Sequence, residues 1–358
     1  MITSSVDQLL KNPVSFLDDS GPDDDIAISS RIRLARNIKG YPFPTAASPQ
    51  NLQEISSVVT LAAKGTETLG GKEMMYFLPE ELSDIDRKLL LERRLVSPDF
   101  IRNPQNRALF VCPGETCSLM VNEEDQLRIQ AIRPGFQLEE VWKHISKTDD
   151  ELGCHLEYAF DDQLGFLTSC PTNVGTGMRA SVMLHLPGLV LTGQIASTVQ
   201  GIAKLHMAVR GIFGEGSDNC GNLFQISNQS TLGESETKII DNLSSVIKQL
   251  IQQEKHARRK LLEDNRYAIF DNVGRSYGLL RHSYKISFKE AMNCLSGLRV
   301  GVDMNLFTLM DIHKVNELFI AIGAAHLQKR QTGEHSEGDI DILRAECCRK
   351  LLAEPHLS

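Results

Sequence analysis

Regular alternation of apolar and polar positions sets in at residue 26. Ile26, Ile28, Ile32 and Leu34 fall on one face of an extended segment, and Ser29, Arg31 and Arg33 fall on the other. This predicts a strand that displays two arginines side by side. Two further strands are predicted over 118–121 and 126–132, joined by the acidic turn Asn122-Glu123-Glu124-Asp125. In the second, Leu127, Ile129 and Ala131 face inward and leave Arg128 and Gln130 on the opposite side. From Leu138 the period changes, and Val141, Trp142 and Ile145 predict a helix. Extended segments return near 164–169 and 223–227. Between them, Ile195, Val199, Ile202, Leu205 and Val209 predict a helix ending at Arg210-Gly211, where glycine suits a C-terminal cap. A long helix opens near Ser235 and carries Ile239, Leu243, Val246, Leu250 and Ile251 into the charged run 255–260. Residues 288–295, 306–328 and 339–352 also read as helical. The expected architecture is therefore α+β: an exposed lead-in over 1–25, a sheet-and-helix unit over 26–254, and a small all-helical unit over 255–358.

The 358 residues supply ample material for a core, and 41% hydrophobic with 23% charged residues fits a folded globular chain. The longest apolar stretch, 180–193, is too short to span a bilayer and contains His185 and Pro187. No membrane span is expected. Residues 1–12 lack a basic region followed by an apolar one, so no secretory signal is expected and a cytoplasmic location follows. A net charge of −8 argues against nucleic acid as a direct partner. The charge is uneven, with nine Lys or Arg against five Asp or Glu over 253–290, which leaves a local basic surface as a candidate docking site. The eight cysteines form no CxxC pair and no zinc spacing, and read as free thiols. No metal ligand is assigned to the protein itself.

Five arginines recur where recognition of phosphate would need them. Arg31 and Arg33 share a strand face, Arg128 follows an acidic turn, Arg179 follows a Gly-rich loop, and Arg210 stands at the end of the predicted helix. Guanidinium groups are always charged and match phosphate oxygens in pairs, so a polyphosphate is the natural guest. Each arginine alone would read as a solvated surface charge. Cys170-Pro171-Thr172-Asn173-Val174-Gly175-Thr176-Gly177-Met178-Arg179 allows backbone amides to approach an anion closely, yet it lacks the GxxxxGK[ST] pattern and is no P-loop. Trp142 and His185 read as core residues.

The same decapeptide resembles the CP[ST]N-x-GT segment of the ATP:guanido phosphotransferases. Three other motifs agree in chain order: Ser29-Ser30-Arg31-Ile32-Arg33 is similar to the family's SSR-x-R strand, Asn122 to Arg128 to its NEED-x-[LI]-R turn, and Arg210 to Glu215 to its RG-x-x-GE loop. Within the family the sequence Arg179 to Pro187 resembles the bacterial protein-arginine kinase branch. The resemblance implies a guanido-kinase catalytic domain with a mixed or antiparallel sheet over 26–254, and a C-terminal helical domain for docking or dimerisation. It implies ATP and Mg²⁺, with Arg31, Arg33, Arg128, Arg179 and Arg210 clamping the phosphates and Ser29, Asn173, Gly175 and Thr176 beside the nucleotide. Glu124 and Glu215 would hold the acceptor guanidinium, with Asp125 in the same catalytic set and Cys170 as a modulating thiol.

A guanidinium is a poor nucleophile because its lone pair is delocalised and protonated, so carboxylates that orient it and take a proton are the chemistry required. The implied activity is transfer of the ATP γ-phosphoryl group to arginine residues of proteins, marking clients for Clp proteolysis. The alternatives are a small-molecule guanidino kinase and an inactive nucleotide-binding adaptor. Implied partners are protein substrates with accessible arginines, a zinc-binding activator protein, the Clp chaperone-protease and a second copy of the chain. Three departures stand out. Only 28 residues precede the SSR-x-R strand, where eukaryotic relatives carry a helical domain, and Met183 replaces a His of the small-molecule kinases; both favour an open site. Arg94 stands where protein-arginine kinases commonly have His, and Ile340 stands where the first Arg of an RD-x-x-RA phosphoarginine-docking motif belongs.

Overall fold

Alternation dominates the first half of the chain, and pairing of those segments builds one sheet. The computed structural model describes residues 3–18, 20–211, 220–306, 311–331 and 336–352. Its strands are β1 (Ala27–Arg36), β2 (Met75–Phe77), β3 (Ala108–Val111), β4 (Cys117–Val121), β5 (Leu127–Pro134), β6 (Phe160–Asp161), β7 (Gly165–Phe166), β8 (Met178–His185), β9 (Met207–Gly211) and β10 (Leu223–Asn228). Eight of them form an antiparallel sheet in the order β2-β3-β4-β5-β1-β8-β10-β9, and β6 and β7 make a separate hairpin. The helices are α1 (Ser15–Asp18), α2 (Pro49–Lys64), α3 (Asp84–Glu92), α4 (Pro98–Arg102), α5 (Leu138–Gly153), α6 (Pro187–Leu191), α7 (Ile195–Lys204), α8 (Glu236–His282), α9 (Phe288–Asp303), α10 (Ile312–Ala321), α11 (Ala324–Arg330) and α12 (Glu337–Leu351). The fold is α+β, with a helical C-terminal region over α8–α12. No described helix is long and apolar enough to cross a membrane.

One face of the sheet is largely apolar. Ile32, Leu34, Leu127, Ile129, Ala180, Val182, Phe224 and Ile226 bury there, under Ile55 and Val59 of α2, Val141 and Ile145 of α5, and the first half of α8 from Ile239 to Ala257. The other face is covered only at its two ends. Beside β2–β4, Phe77, Leu109 and Met120 pack with α3, α4 and the N-terminal Val6 and Leu9. At the opposite end, Ile28, Ile132, Met183 and Leu223 pack with Phe16, Leu17 and the C-terminal helices. The middle is left to arginines.

Several expectations are met and several are corrected. Ile28 does not share a face with Ile26, because the register between β1 and β8 shifts between Ala27 and Ser29 and turns Ile28 toward the second cluster. The helix expected to run to Arg210 ends at Lys204; His206 turns with φ 55°, and Met207–Gly211 pairs with β10 as an edge strand. The spacing of Ile202, Leu205 and Val209 fits a helix, yet the long-range ladder prevails. Of the segment 164–169, only Gly165–Phe166 is strand. The helix expected over 306–328 is two shorter ones, α10 and α11. The lead-in is not wholly exposed, since Val6, Leu9, Val14, Phe16 and Leu17 are buried. Trp142 is half-buried against the main core, and His185 is fully buried.

Residue 255 lies within α8, whose helical geometry is interrupted at Asn265. Beyond that kink, α8 and α9 cross closely: a side chain at Gly301 would stand 2.5 Å from Val273, and one at Gly297 2.4 Å from Ser276. The charged run 255–260 is partly consumed by internal pairing. Lys255 meets Asp23 at 2.6 Å and buried Arg258 meets Glu254 at 2.8 Å, leaving Arg259 and Lys260 exposed.

Candidate active site

Register brings the arginines together. Arg33 lies directly opposite Arg179 across β1 and β8 and opposite Gln130 across β1 and β5. Arg31 and Arg128 lie two residues from those positions, and therefore on the same face. Arg31 pairs with Ser181, Ser181 with Ser227, and Gln225 of the same strand with Arg210. Four strands thus deliver Arg31, Arg33, Arg128, Arg179 and Arg210 to the uncovered middle of one face.

Arg31 Nη2 donates to Gln225 Oε1 at 3.1 Å and Arg179 Nη2 to Ser227 Oγ at 3.1 Å. Arg33 Nε is buried without a hydrogen-bond partner. Burial, and then the charges of Arg94, Arg128 and Arg179, push the Arg31 guanidinium down to about 9. Burial, followed by Arg31, Arg128 and Arg179, pushes Arg33 well below its ordinary value, with Glu123 opposing. A guanidinium does not surrender its proton in proteins, so these shifts express lost hydration and, after it, mutual repulsion, both of which a polyanion would offset.

The acidic turn supplies the opposite chemistry. Arg128 Nη1 lies 2.5 Å from Glu123 Oε2 and 3.7 Å from Glu124 Oε2. Glu123 is buried and also accepts from the Ser97 hydroxyl. Burial pushes its carboxyl up, but the charge of Arg128 and the Ser97 bond outweigh it and hold the group below the usual range. Glu124 is different, with 41% of its side chain exposed. Burial of the remainder raises its carboxyl, Arg128 opposes that, Asp125 and Glu123 reinforce it, and a hydrogen bond with Cys170 lowers it in part; the net direction is up. A half-open carboxylate of raised basicity beside a guanidinium-rich face can orient an acceptor and take a proton.

The remaining predicted residues fall into place unequally. Asp125 is buried, and its Oδ1 accepts from Asn37 Nδ2 and from Ser169 N, each at 2.7 Å. It ties β1 to the loop that carries Cys170. Cys170 Sγ stands 3.0 Å from Thr172 Oγ1. The loop over Asn173, Gly175 and Thr176 is held by Thr231, whose Oγ1 donates toward Thr172 O and Val174 O at 2.9 and 2.7 Å, and whose carbonyl accepts from Thr176 N at 3.0 Å. Gly175 has φ 108° and a side chain there would stand 2.3 Å from Thr231 O, so only glycine fits. Ser29 is buried at the start of the arginine-bearing strand. Glu215 lies outside the described residues. The sequence reading passed over Gln225 and Ser227, which orient two of the arginines, although their alternate positions on β10 carry the signal. It also gave no role to Glu123.

The fold and the arginine face define a phosphotransferase of the guanidino-kinase class, and sequence comparison agrees. The profile described as ATP:guanido phosphotransferase, C-terminal catalytic domain, matches residues 54–257, and that of the protein-arginine kinase McsB C-terminal domain matches residues 266–357. The chain belongs to the ATP:guanido phosphotransferase family. It is 45% identical to a protein-arginine kinase of Pelotomaculum thermopropionicum, over 94% of this chain and 95% of that one. It is 43% identical to one from Halothermothrix orenii, over 97% and 98% of the two chains. Among solved structures, a duplicated taurocyamine kinase from Schistosoma mansoni superposes with a TM-score of 0.58 at 28% identity, over 71% of this chain and 36% of that chain. A lombricine kinase shares the fold with a TM-score of 0.59 at 23% identity, over 71% of each chain.

Proposed function

We propose that the arginine face holds the phosphates of ATP and that Glu124, at its edge, addresses the guanidinium of an arginine in a protein acceptor. The chain is an enzyme that transfers a phosphoryl group to arginine. One observation carries the assignment: half-buried Arg33 has a buried Nε without a hydrogen-bond partner and stands among further arginines. Such charge concentration is tolerated where a polyanion completes it.

ATP supplies the γ-phosphoryl group as substrate, and Mg²⁺ is held by phosphate oxygens and water, since this ion retains much of its own hydration. The residues of the chain do the positioning. Arg31 and Arg33 align the phosphates from the strand centre, Arg128 and Arg179 from either side, and Arg210 from the edge strand. Glu123 keeps Arg128 in place. Glu124 orients the acceptor nitrogen and takes its proton as the N–P bond forms and the bond to the ADP oxygen breaks. Glu215 shares the acceptor, Asp125 fixes the two loops, and Cys170 tunes Glu124 through their hydrogen bond. Ser29, Asn173, Gly175 and Thr176 shape the nucleotide side. The division into a catalytic unit over 26–254 and a docking or dimerising helical unit over 255–358 belongs to the same reading, with a cytoplasmic setting. A zinc-binding activator and the Clp machinery as partners follow from the family resemblance.

The test is incubation of the chain with ATP, Mg²⁺ and either a loop-rich protein or free arginine. Acid-labile phosphate on arginines of the protein, with little on the free amino acid, is the expected result. Equal specificity constants for the two acceptors would replace this reading with a small-molecule kinase.

A further inference from the structure

Glu123 and Glu124 stand side by side in one turn, and both lie within reach of Arg128, whose Nη1 is 2.5 Å from Glu123 Oε2 and 3.7 Å from Glu124 Oε2. They differ in what else they meet. Glu124 is half-open and faces Arg128 of β5, Asp125 and Glu123 of its own turn, and Cys170 of the adjoining loop. Glu123 is buried with both oxygens engaged, Oε2 by Arg128 and Oε1 by the hydroxyl of Ser97. Arg33 and Arg107 also feel its charge. Ser97 reaches it from the segment between α3 and α4. Leu95 and Val96, buried beside β3 and β4, and Pro98 at the start of α4 fix its place. Its oxygen accepts from Phe100 N at 3.1 Å as the cap of α4, which leaves its single proton for Glu123.

We infer that Ser97 is a positioning residue for phosphoryl transfer: its hydroxyl holds Glu123 on Arg128 and so keeps the Arg128 guanidinium from closing on Glu124, the base that addresses the acceptor. This rests on the proposed role of Glu124. A guanidinium between two carboxylates is drawn to the one it can approach more closely. Without the Ser97 proton, Glu123 loses one of the two side chains that orient it, and Arg128 divides itself between both carboxylates. Closer pairing with Arg128 would lower the proton affinity of Glu124 and occupy the oxygen that the acceptor guanidinium needs. The Ser97 contact thus maintains the contrast between one carboxylate held low and its neighbour raised.

The experiment compares wild type with Ser97→Ala, Ser97→Thr and Ser97→Asp in the full-length chain. It measures kcat and the KM for a protein acceptor across pH, together with the unfolding midpoint of each variant. Thr keeps both the cap and the proton, whereas an ionised Asp keeps an oxygen to cap α4 but has no proton for Glu123. In the Ala variant kcat should fall about tenfold, as expected for one lost hydrogen bond to a buried charged group. The acid limb of its rate profile, which Glu124 sets, should move to lower pH, and the KM for the protein acceptor should rise. Thr should restore all three and Asp none. In a Glu123→Ala background, Ser97→Ala should add nothing further. An unmoved acid limb in the Ala variant, or full recovery with Asp, would overturn the inference and leave the function intact. Failure of wild type to place phosphate on arginines of the protein acceptor would overturn both.

Discussion

Two groups of arginines lie in this molecule, one buried and one half-buried, and they are treated in different ways. Between the sheet and the C-terminal helices, Arg258 pairs with Glu254 at 2.8 Å and with Asp303 at 3.5 Å, and its Nη2 donates to Asp25 O at 3.1 Å. Arg299 shares Asp303 at 3.6 Å and donates to Asp24 O. Glu254 in turn accepts from Gly188 N and Leu189 N at 2.8 and 2.9 Å, so α6, α8 and the segment before β1 are joined through one network. On the arginine face, by contrast, Arg31 Nη2 donates to the neutral Gln225 Oε1, and Arg33 Nε has no hydrogen-bond partner. The first group is matched with carboxylates and locks layers together. The second is a set of cations held by the fold against their mutual repulsion, as a substrate-binding surface requires. Breaking a member of the first should cost stability, and breaking a member of the second should cost function.

The sharpest functional break is Glu124→Gln. Transfer should fall on the order of 10²–10⁴-fold with the melting temperature unchanged, since a proton acceptor is lost without a change of shape. Because burial raises the Glu124 carboxyl, the wild-type rate should rise with pH as Glu124 loses its proton, at a pH higher than an ordinary glutamate would. That acid limb should be missing from the Gln variant. A limb that survives at the same position would assign it to another group.

Glu254→Ala should come next, with a loss of about 3–5 kcal/mol in denaturant titrations, because it strands Arg258 and two amides in a buried site. Its counterpart, Arg33→Ala, should leave the unfolding midpoint level or raise it slightly while ATP affinity drops about 10- to 100-fold. If Arg33→Ala destabilised the chain as much as Glu254→Ala does, the contrast between the two groups would fail.

A smaller effect concerns Asp303, whose carboxyl is pushed up to about 6 by burial, against the opposing pull of Arg299 and Arg258. Between about pH 4 and pH 6 the unfolded chain releases this proton while the folded chain retains it, so stability falls as pH rises through that window and then levels. Asp303→Asn should flatten the slope in denaturant midpoints measured across it. An unchanged slope would place the titration elsewhere. Smallest of all, Lys255→Ala breaks a partly exposed pair with Asp23 and should shift stability by less than about 1 kcal/mol.

Much of the catalytic surface is legible in the chain, and the parts that are not have a common cause. The alternation from residue 26 places Arg31 and Arg33 on one face, and the acidic turn before Arg128 is visible as a hairpin signal. Ser97 passes unmarked, because nothing local announces that its hydroxyl will meet Glu123, 26 residues further on. Arg210 is misplaced by periodicity, since Ile202, Leu205 and Val209 satisfy a helix as well as chance allows. Its strand exists through pairing with β10.

The sequence by itself determined the order of the strands' inward and outward residues, the apolar content of the helices and the motifs that name the chemistry. These are local properties, set by periods of two and of three to four residues. Tertiary structure alone decided the register that sets Arg33 opposite Arg179, the bulge that sends Ile28 to a different core, and the placing of carboxylates beside Arg258 and Arg299 but a neutral amide beside Arg31. Each of these depends on residues far apart along the chain, as Arg33 and Arg179 are. A charge has no fixed role until the fold brings, or withholds, its counter-ion.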